Sequence, residues 1–476
     1  MTDIDEMIEA FRRGTFDLDC TMMDLRQRKE GGHRFKGRGY IRQIEGSALV
    51  FKLYVDEKEN AGPPAIFDML TGGASGALLG DDELYDLTVT SVDGTSWKAV
   101  RITGPRPNWD MQDDTGVLSG SLHSIVAGTM LPPPKPHLLR LHFFEEYALS
   151  LHSWSPDADR PLQGMVRDRS EFEACGAKFN VRSRLGSGDT IVQVTADTAF
   201  PPAFDLRIQE ALQYITGKSA IWRARLETCQ GMFALELASP RPKAVRTQFN
   251  PPISPASAEF HHQVWPLFER FLTYVIENTA ASGDSRHWNS VAYHLYIARE
   301  STSASIDAWA VGVSVAVEAL ASLAEVCANR KTDGGWANFR TRALEWLEEQ
   351  PDFPENVKNR ARGLIRSSAD KGVKQTLREL AEIGRADKKY VDAWGKLRHR
   401  HVHPNLADLR LPGAADYREL LRRLWQVGML LHQLTFHLIG YEGPFTEYSR
   451  VGLGSRQYPL SESEEVGADE GSRISP

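Results

Sequence analysis

Over the first 240 residues apolar side chains tend to recur at every second position. The pattern is clearest in GRGYIRQIEGSALVFKLYVD (37–56), LYDLTVTSVDGTSWKAVRITG (84–104), LLRLHFFEEYALSLHSW (138–154) and DTIVQVTADTAF (189–200). A period of two puts one face of a strand against a core, and the Asp-Gly and Gly-Ser-Gly interruptions supply the turns. Several short strands at this spacing predict a sandwich or barrel-like sheet. Within that region LRIQEALQYITG (206–217) predicts a helix and GMFALELAS (231–239) a returning strand. PPPKP at 132–136 predicts a stiff connector between two lobes.

Pro240, Pro242, Pro251, Pro252 and Pro255 then break any helix or central strand. Beyond them the period changes to 3.6. Segments 260–278, 287–301, 306–329, 336–350, 374–384, 388–400 and 415–440 carry apolar residues at three and four spacing, which predicts a helical bundle. The expected fold class is α+β multidomain. A β-rich region over 1–239 is followed by a Pro-rich linker at 240–256 and a helical domain over 257–445. The segment 461–476, with five acids and one Arg, reads as a disordered acidic tail.

Composition narrows the function classes. Across 476 residues, 41% hydrophobic and 25% charged is globular usage, which excludes a wholly disordered, collagenous or coiled-coil chain. Lys and Arg number 56 against 63 Asp and Glu, a net charge of −7, so bulk charge does not coat nucleic acid and any such site is local. Cys20, Cys175, Cys229 and Cys327 form no CxxC pair, so neither a zinc knuckle nor a disulfide framework is indicated and a reducing cytoplasm is expected. MTDIDEMIEAFRR lacks the basic start and apolar run of a signal peptide. Ile306 to Cys327 is the most apolar stretch. It contains Asp307, Glu318 and Glu325, and reads as a buried helix rather than a membrane span.

The chemistry concentrates in WGKLRHRHVHPN, Trp394 to Asn405, where Arg398, His399, Arg400, His401 and His403 precede Pro404. Proline disfavours α geometry at the residue before it, so the helix that starts near Lys388 should end near His403. An imidazole there can move a proton near neutral pH. Fixed guanidiniums beside it can neutralise a phosphate, and cleavage of an RNA phosphodiester needs both functions. From Glu355 to Arg410 fourteen Lys and Arg face seven Asp and Glu, the charge footprint of a groove for a polyanion. Glu318 sits among Val317, Ala319 and Leu320 on an apolar stripe, where a carboxylate calls for a partner, and Arg398 is the candidate.

Arg398, its polar neighbour His399, and His403 resemble the Arg-x(4 to 6)-His signature of the HEPN family, which is carried on a helical bundle. Arg26 and Arg28 also match the spacing to His33, but Gly31 and Gly32 place His33 in a loop entering a β region. Glu318 on its long apolar helix is similar to the polar residue that HEPN bundles turn toward the motif. The layout of a β-rich half followed by such a bundle resembles the ApeA group of bacterial anti-phage proteins.

The resemblance implies a metal-independent endoribonuclease with no cofactor. His403 would act on the 2′-hydroxyl or the leaving oxygen and Arg398 would stabilise the phosphorane. His399 and Glu318 would support them, and Arg400 and Lys396 would contact RNA. It also implies a homodimer with a composite cleft, because one motif per chain supplies one histidine where the reaction uses a base and an acid. The β half would sense an infection trigger and hold the nuclease off. The alternative is a non-catalytic HEPN-like module that clamps a nucleotide or a partner protein. A third reading is a carbohydrate- or peptide-binding sandwich with a helical dimerisation domain.

Other features carry less. TGGASGALLG (71–80) lacks the GK[ST] of a phosphate loop. His137, His142 and His152 are irregularly spaced and read as strand or loop residues. Trp97, Trp109, Trp154 and Trp222 read as core. Glu145 and Glu146 fall on opposite faces of a strand.

Overall fold

The computed structural model describes residues 4–44, 48–62, 79–110, 115–130, 136–153, 168–184, 188–229, 232–239, 249–257, 260–279, 287–327, 334–367, 372–402, 414–449 and 454–461. The chain divides into two compact units. Met1–Gln209 and Ser219–Ala244 form the first, Glu210–Lys218 and Val245–Pro476 the second.

The first unit is a helix, α1 (Ile4–Arg13), and a sheet of fourteen described strands. From one edge to the other the strands are Arg169–Ala174, Ala177–Arg184, Asp189–Ala196, His137–Phe143, Ala224–Cys229, Met232–Ala238 and Ser124–Met130, then Ser96–Ile102, Tyr85–Ser91, Asp17–Gln27, Arg34–Gln43, Leu49–Glu59, Thr115–Leu122 and Arg106–Asp110. Every neighbouring pair is antiparallel. Alternation drives this, as in Asp189–Ala196, where every second residue is buried. Cys175 and Gly176 both take positive φ, 51° and 73°, the two-residue turn whose twist matches the strands it joins. The core includes Phe11 of α1 with Phe35, Phe51, Trp97, Leu118 and Leu235.

Two expectations are corrected here. The hairpin of Ala224–Cys229 and Met232–Ala238 pairs with His137–Phe143 on one side and Ser124–Met130 on the other, so the expected two lobes are one hydrogen-bonded ladder. The connector at 132–136 lies outside the described residues, apart from Pro136. The strand expected over 138–154 stops at Phe143. Its neighbour's ladder ends at Thr190, paired with Phe143, and Gly188, at φ +64°, lies just beyond in a turn.

The helix α2 (Phe204–Thr216) carries the chain from the first unit into the second at residue 210. The second unit continues with α3 (Val264–Glu277), α4 (Ser290–Ser301), α5 (Ile306–Cys327), α6 (Gly334–Glu348), α7 (Glu355–Ser367), α8 (Val373–Glu382), α9 (Lys388–Val402) and α10 (Ala414–Ile439). The sequence pattern did not mark α7. Only Val357, Ala361, Leu364 and Ile365 are apolar along it, and Val357 and Leu364 face solvent, so no buried stripe announces it.

Asn289 caps α4, its side chain accepting from Val291 N at 2.9 Å. α5 buries Trp309, Ala310, Val313, Val317, Leu320, Ala321 and Ala324 and packs against α4, α8, α9 and α10. It is also the one described helix long and apolar enough by length and composition to cross a membrane.

After α10 the strands Gly443–Glu447 and Gly454–Tyr458 form a hairpin that the expected all-helical domain, ending at 445, did not include. It is held by buried polar groups. Tyr390 of α9 donates to Glu447 and contacts Ser449 Oγ at 2.9 Å, and Arg456 donates to Asp387 Oδ2 at 2.8 Å. Burial and the neighbouring Glu447 push the Tyr390 hydroxyl well above its ordinary pKa. The Asp387 carboxylate, also accepting from Lys389 N at 2.9 Å, caps the start of α9.

Candidate functional site

α9 forms because its apolar residues recur on one face. Tyr390, Val391, Ala393, Trp394 and Leu397 are buried, and the helix lies on α5, α8 and α10. That anchoring sets where the next turn points. Trp394 Nε1 donates to the Ser314 carbonyl of α5 at 3.3 Å. One turn on, the Arg398 guanidinium sits 5.9 Å from the Trp394 ring centroid.

Arg398 Nε donates to Glu318 Oε1 of α5, the pairing expected from the sequence. Glu318 is not enclosed in the apolar stripe as expected. It lies one position past Val317, at the stripe's margin, and its side chain is 29% exposed against 36% for Arg398. A helix turns 100° per residue, so a step of one moves a side chain from the seam to its edge. A charge-assisted bond at that edge orients the guanidinium while leaving part of it open to solvent.

His399 and Lys396 are exposed and Arg400 is half-buried. His401 behaves differently from the bystander the sequence suggested. Its side chain is 8% exposed, with Nδ1 3.2 Å from Asp307 Oδ1 in the first turn of α5. Burial lowers its pKa, the Asp307 carboxylate opposes that, and Arg400 adds to it. Successive residues point about 100° apart on a helix, so His399 and His401 face different surroundings and form no common ligand pair. Among the described residues no three His, Cys, Asp or Glu side chains group as metal ligands. His403 and Pro404 lie outside the described residues, and the helix is described through Val402.

The structure therefore brings together Arg398, Glu318 and Trp394, and separately His401 and Asp307, all across the α5–α9 seam. It does not gather the basic residues of 355–410 into one patch. Arg362 is held by Glu348 at 2.6 Å and Glu355 at 3.0 Å, and Arg385 by Glu442 at 3.3 Å. Asp307 carried the one sequence signal for the second pair, an acid in the first turn of a helix.

Arg378, Lys388 and Arg456 line a separate groove of about 690 Å³ with Glu382 and Asp392. In the first unit the sequence passed over His142. It is buried on the strand His137–Phe143, 4.0 Å from Asp189, and burial brings its pKa down to about 3 and raises Asp189 to about 6. His33 lies between the strands Asp17–Gln27 and Arg34–Gln43, its Nδ1 2.6 Å from the Asn60 carbonyl oxygen. No known family, no curated protein and no solved structure matches the chain.

Proposed function

We propose that the second unit is an endoribonuclease of the HEPN type, acting in the bacterial cytoplasm as part of anti-phage defence. The observation that carries the reading is the fixed guanidinium of Arg398. Glu318 and Trp394 orient it at the C-terminal turn of α9, five positions before His403 in the sequence. In RNA cleavage a base removes the 2′-hydroxyl proton, the 2′-oxygen attacks phosphorus, and the 5′-oxygen leaves with a proton from an acid. The products are a 2′,3′-cyclic phosphate and a 5′-hydroxyl. His403 would carry one proton transfer and the His403 of a second copy the other. Arg398 would offset the charge on the phosphorane, and Lys396, His399 and Arg400 would flank the RNA. None of these steps calls on a metal or a cofactor. The β-rich unit would hold the reaction off until it binds a signal.

A second reading is a non-catalytic phosphate clamp for a nucleotide or a partner protein. One observation favours it: the single described histidine beside this tip that is held in place, His401, is engaged by Asp307 rather than turned to Arg398. Incubation of wild type and His403→Ala with mixed RNA in EDTA, followed by end-group analysis, separates the two. A nuclease cleaves in EDTA, leaves cyclic phosphate ends, and loses cleavage but not RNA affinity in the variant. Cleavage that requires a divalent metal, or that is unchanged in the variant, overturns the proposal; a clamp binds and never cleaves.

A further inference from the structure

The outer face of the α6–α7 hairpin carries an inference independent of the nuclease reading. The two helices pack on each other, locked by the Arg362 fork on Glu348 (2.6 and 2.9 Å) and by Glu355. Their outward side chains are apolar. Phe339 is 56%, Trp346 54%, Val357 45% and Leu364 65% exposed, and Phe353 meets Trp346 edge to face at 6.2 Å. Phe339 and Trp346 are seven residues apart, two turns, so they share one face of α6 with the small Ala343 between them; Val357 and Leu364 repeat the spacing on α7. Contiguous exposed aromatic and aliphatic surface of this kind marks an interface.

Charge indicates what covers it. On α6, Arg340 and Arg342 precede Ala343, and Glu345 and Glu349 follow it. None of these four has an ion-pair partner among the described residues. A helix basic on one side of a small residue and acidic on the other is complementary to its own reverse. An antiparallel copy crossing at Ala343 brings Arg342 toward Glu345, Arg340 toward Glu349 and Phe339 toward Trp346, while Ala343 lets the backbones approach. A uniformly anionic partner, RNA or lipid, would meet the basic end and be repelled by the acidic one.

We propose that a second copy of this chain covers the face, related by a twofold axis through α6. Sedimentation of the full chain over a range of concentrations tests it, with Trp346→Glu, Arg342→Glu and the swap Arg342→Glu with Glu345→Arg. The substituted side chains are exposed, and thermal melts confirm that each variant folds. The expected result is a reversible dimer weakened about 30-fold or more by Trp346→Glu, a loss of hot-spot size. Arg342→Glu should weaken it about tenfold, and the swap should bring most of that back. A chain that stays monomeric, or a dimer indifferent to Trp346→Glu and Arg342→Glu, overturns the proposal. So does a monomer whose binding to phosphatidylserine vesicles or RNA depends on Trp346.

Discussion

Replacing Arg398 with alanine distinguishes a strut from a reacting group, because the structure bounds what the strut is worth. Both partners of the Arg398–Glu318 pair are about one-third open to water. Solvent-screened pairs of that kind contribute about 0.2–1 kcal/mol. The arginine over Trp394 adds on the order of 1 kcal/mol through its contact with the ring. The total of about 1–2 kcal/mol lowers the melting temperature of a unit of this size by roughly 2–8 °C. A guanidinium that offsets charge developing on phosphorus matters far more to rate, by about 100-fold or more. The assay pairs calorimetry with cleavage of a labelled RNA in EDTA. Expected is a melt lowered by a few degrees with cleavage essentially abolished, and Glu318→Gln should lose less activity, since the cation remains. An Arg398→Ala protein that melts a few degrees lower yet cleaves as wild type refutes the assignment.

Two further outcomes follow from buried groups. His432 lies against Tyr214, Phe249 and Phe436 with Nε2 3.1 Å from the Asn250 carbonyl oxygen, and burial holds its pKa at about 4 against an ordinary 6.5. Its folded pKa is depressed, so the neutral ring's stability is intact above pH 6.5 and is lost as pH falls toward 4, a term of about 3 kcal/mol. Urea unfolding across that window should flatten in His432→Phe, and an unchanged slope would count against it. Gly312 marks the close crossing of α5 on α4, where a Cβ would land on the Ser301 side chain. Gly312→Ala should destabilise by about 1–3 kcal/mol despite better helix propensity, with Ser301→Gly restoring it; a stabilised single variant contradicts the crossing.

The switch from a period of two to one of 3.6 was legible in the sequence because half-buried strands and bundle helices each impose their own spacing on apolar residues. The partner of Glu318 was legible because a carboxylate on an apolar stripe calls for a cation. α7 was not, since helices whose apolar side chains face outward leave no seam for periodicity to detect. His401 looked like a bystander because its partner, Asp307, lies 94 positions away.

The chain's own order of residues thus determined the α+β division, most of the elements, and a basic, histidine-rich helix end with an arginine set to meet a carboxylate. The tertiary structure alone decided that the strands form one ladder, that Arg398 stands at the rim of the α5–α9 seam, and that the cations of 355–410 are dispersed among local acids. Periodicity reports which face of an element is buried, whereas register between distant strands and the pairing of distant charges depend on contacts that only close when the chain folds.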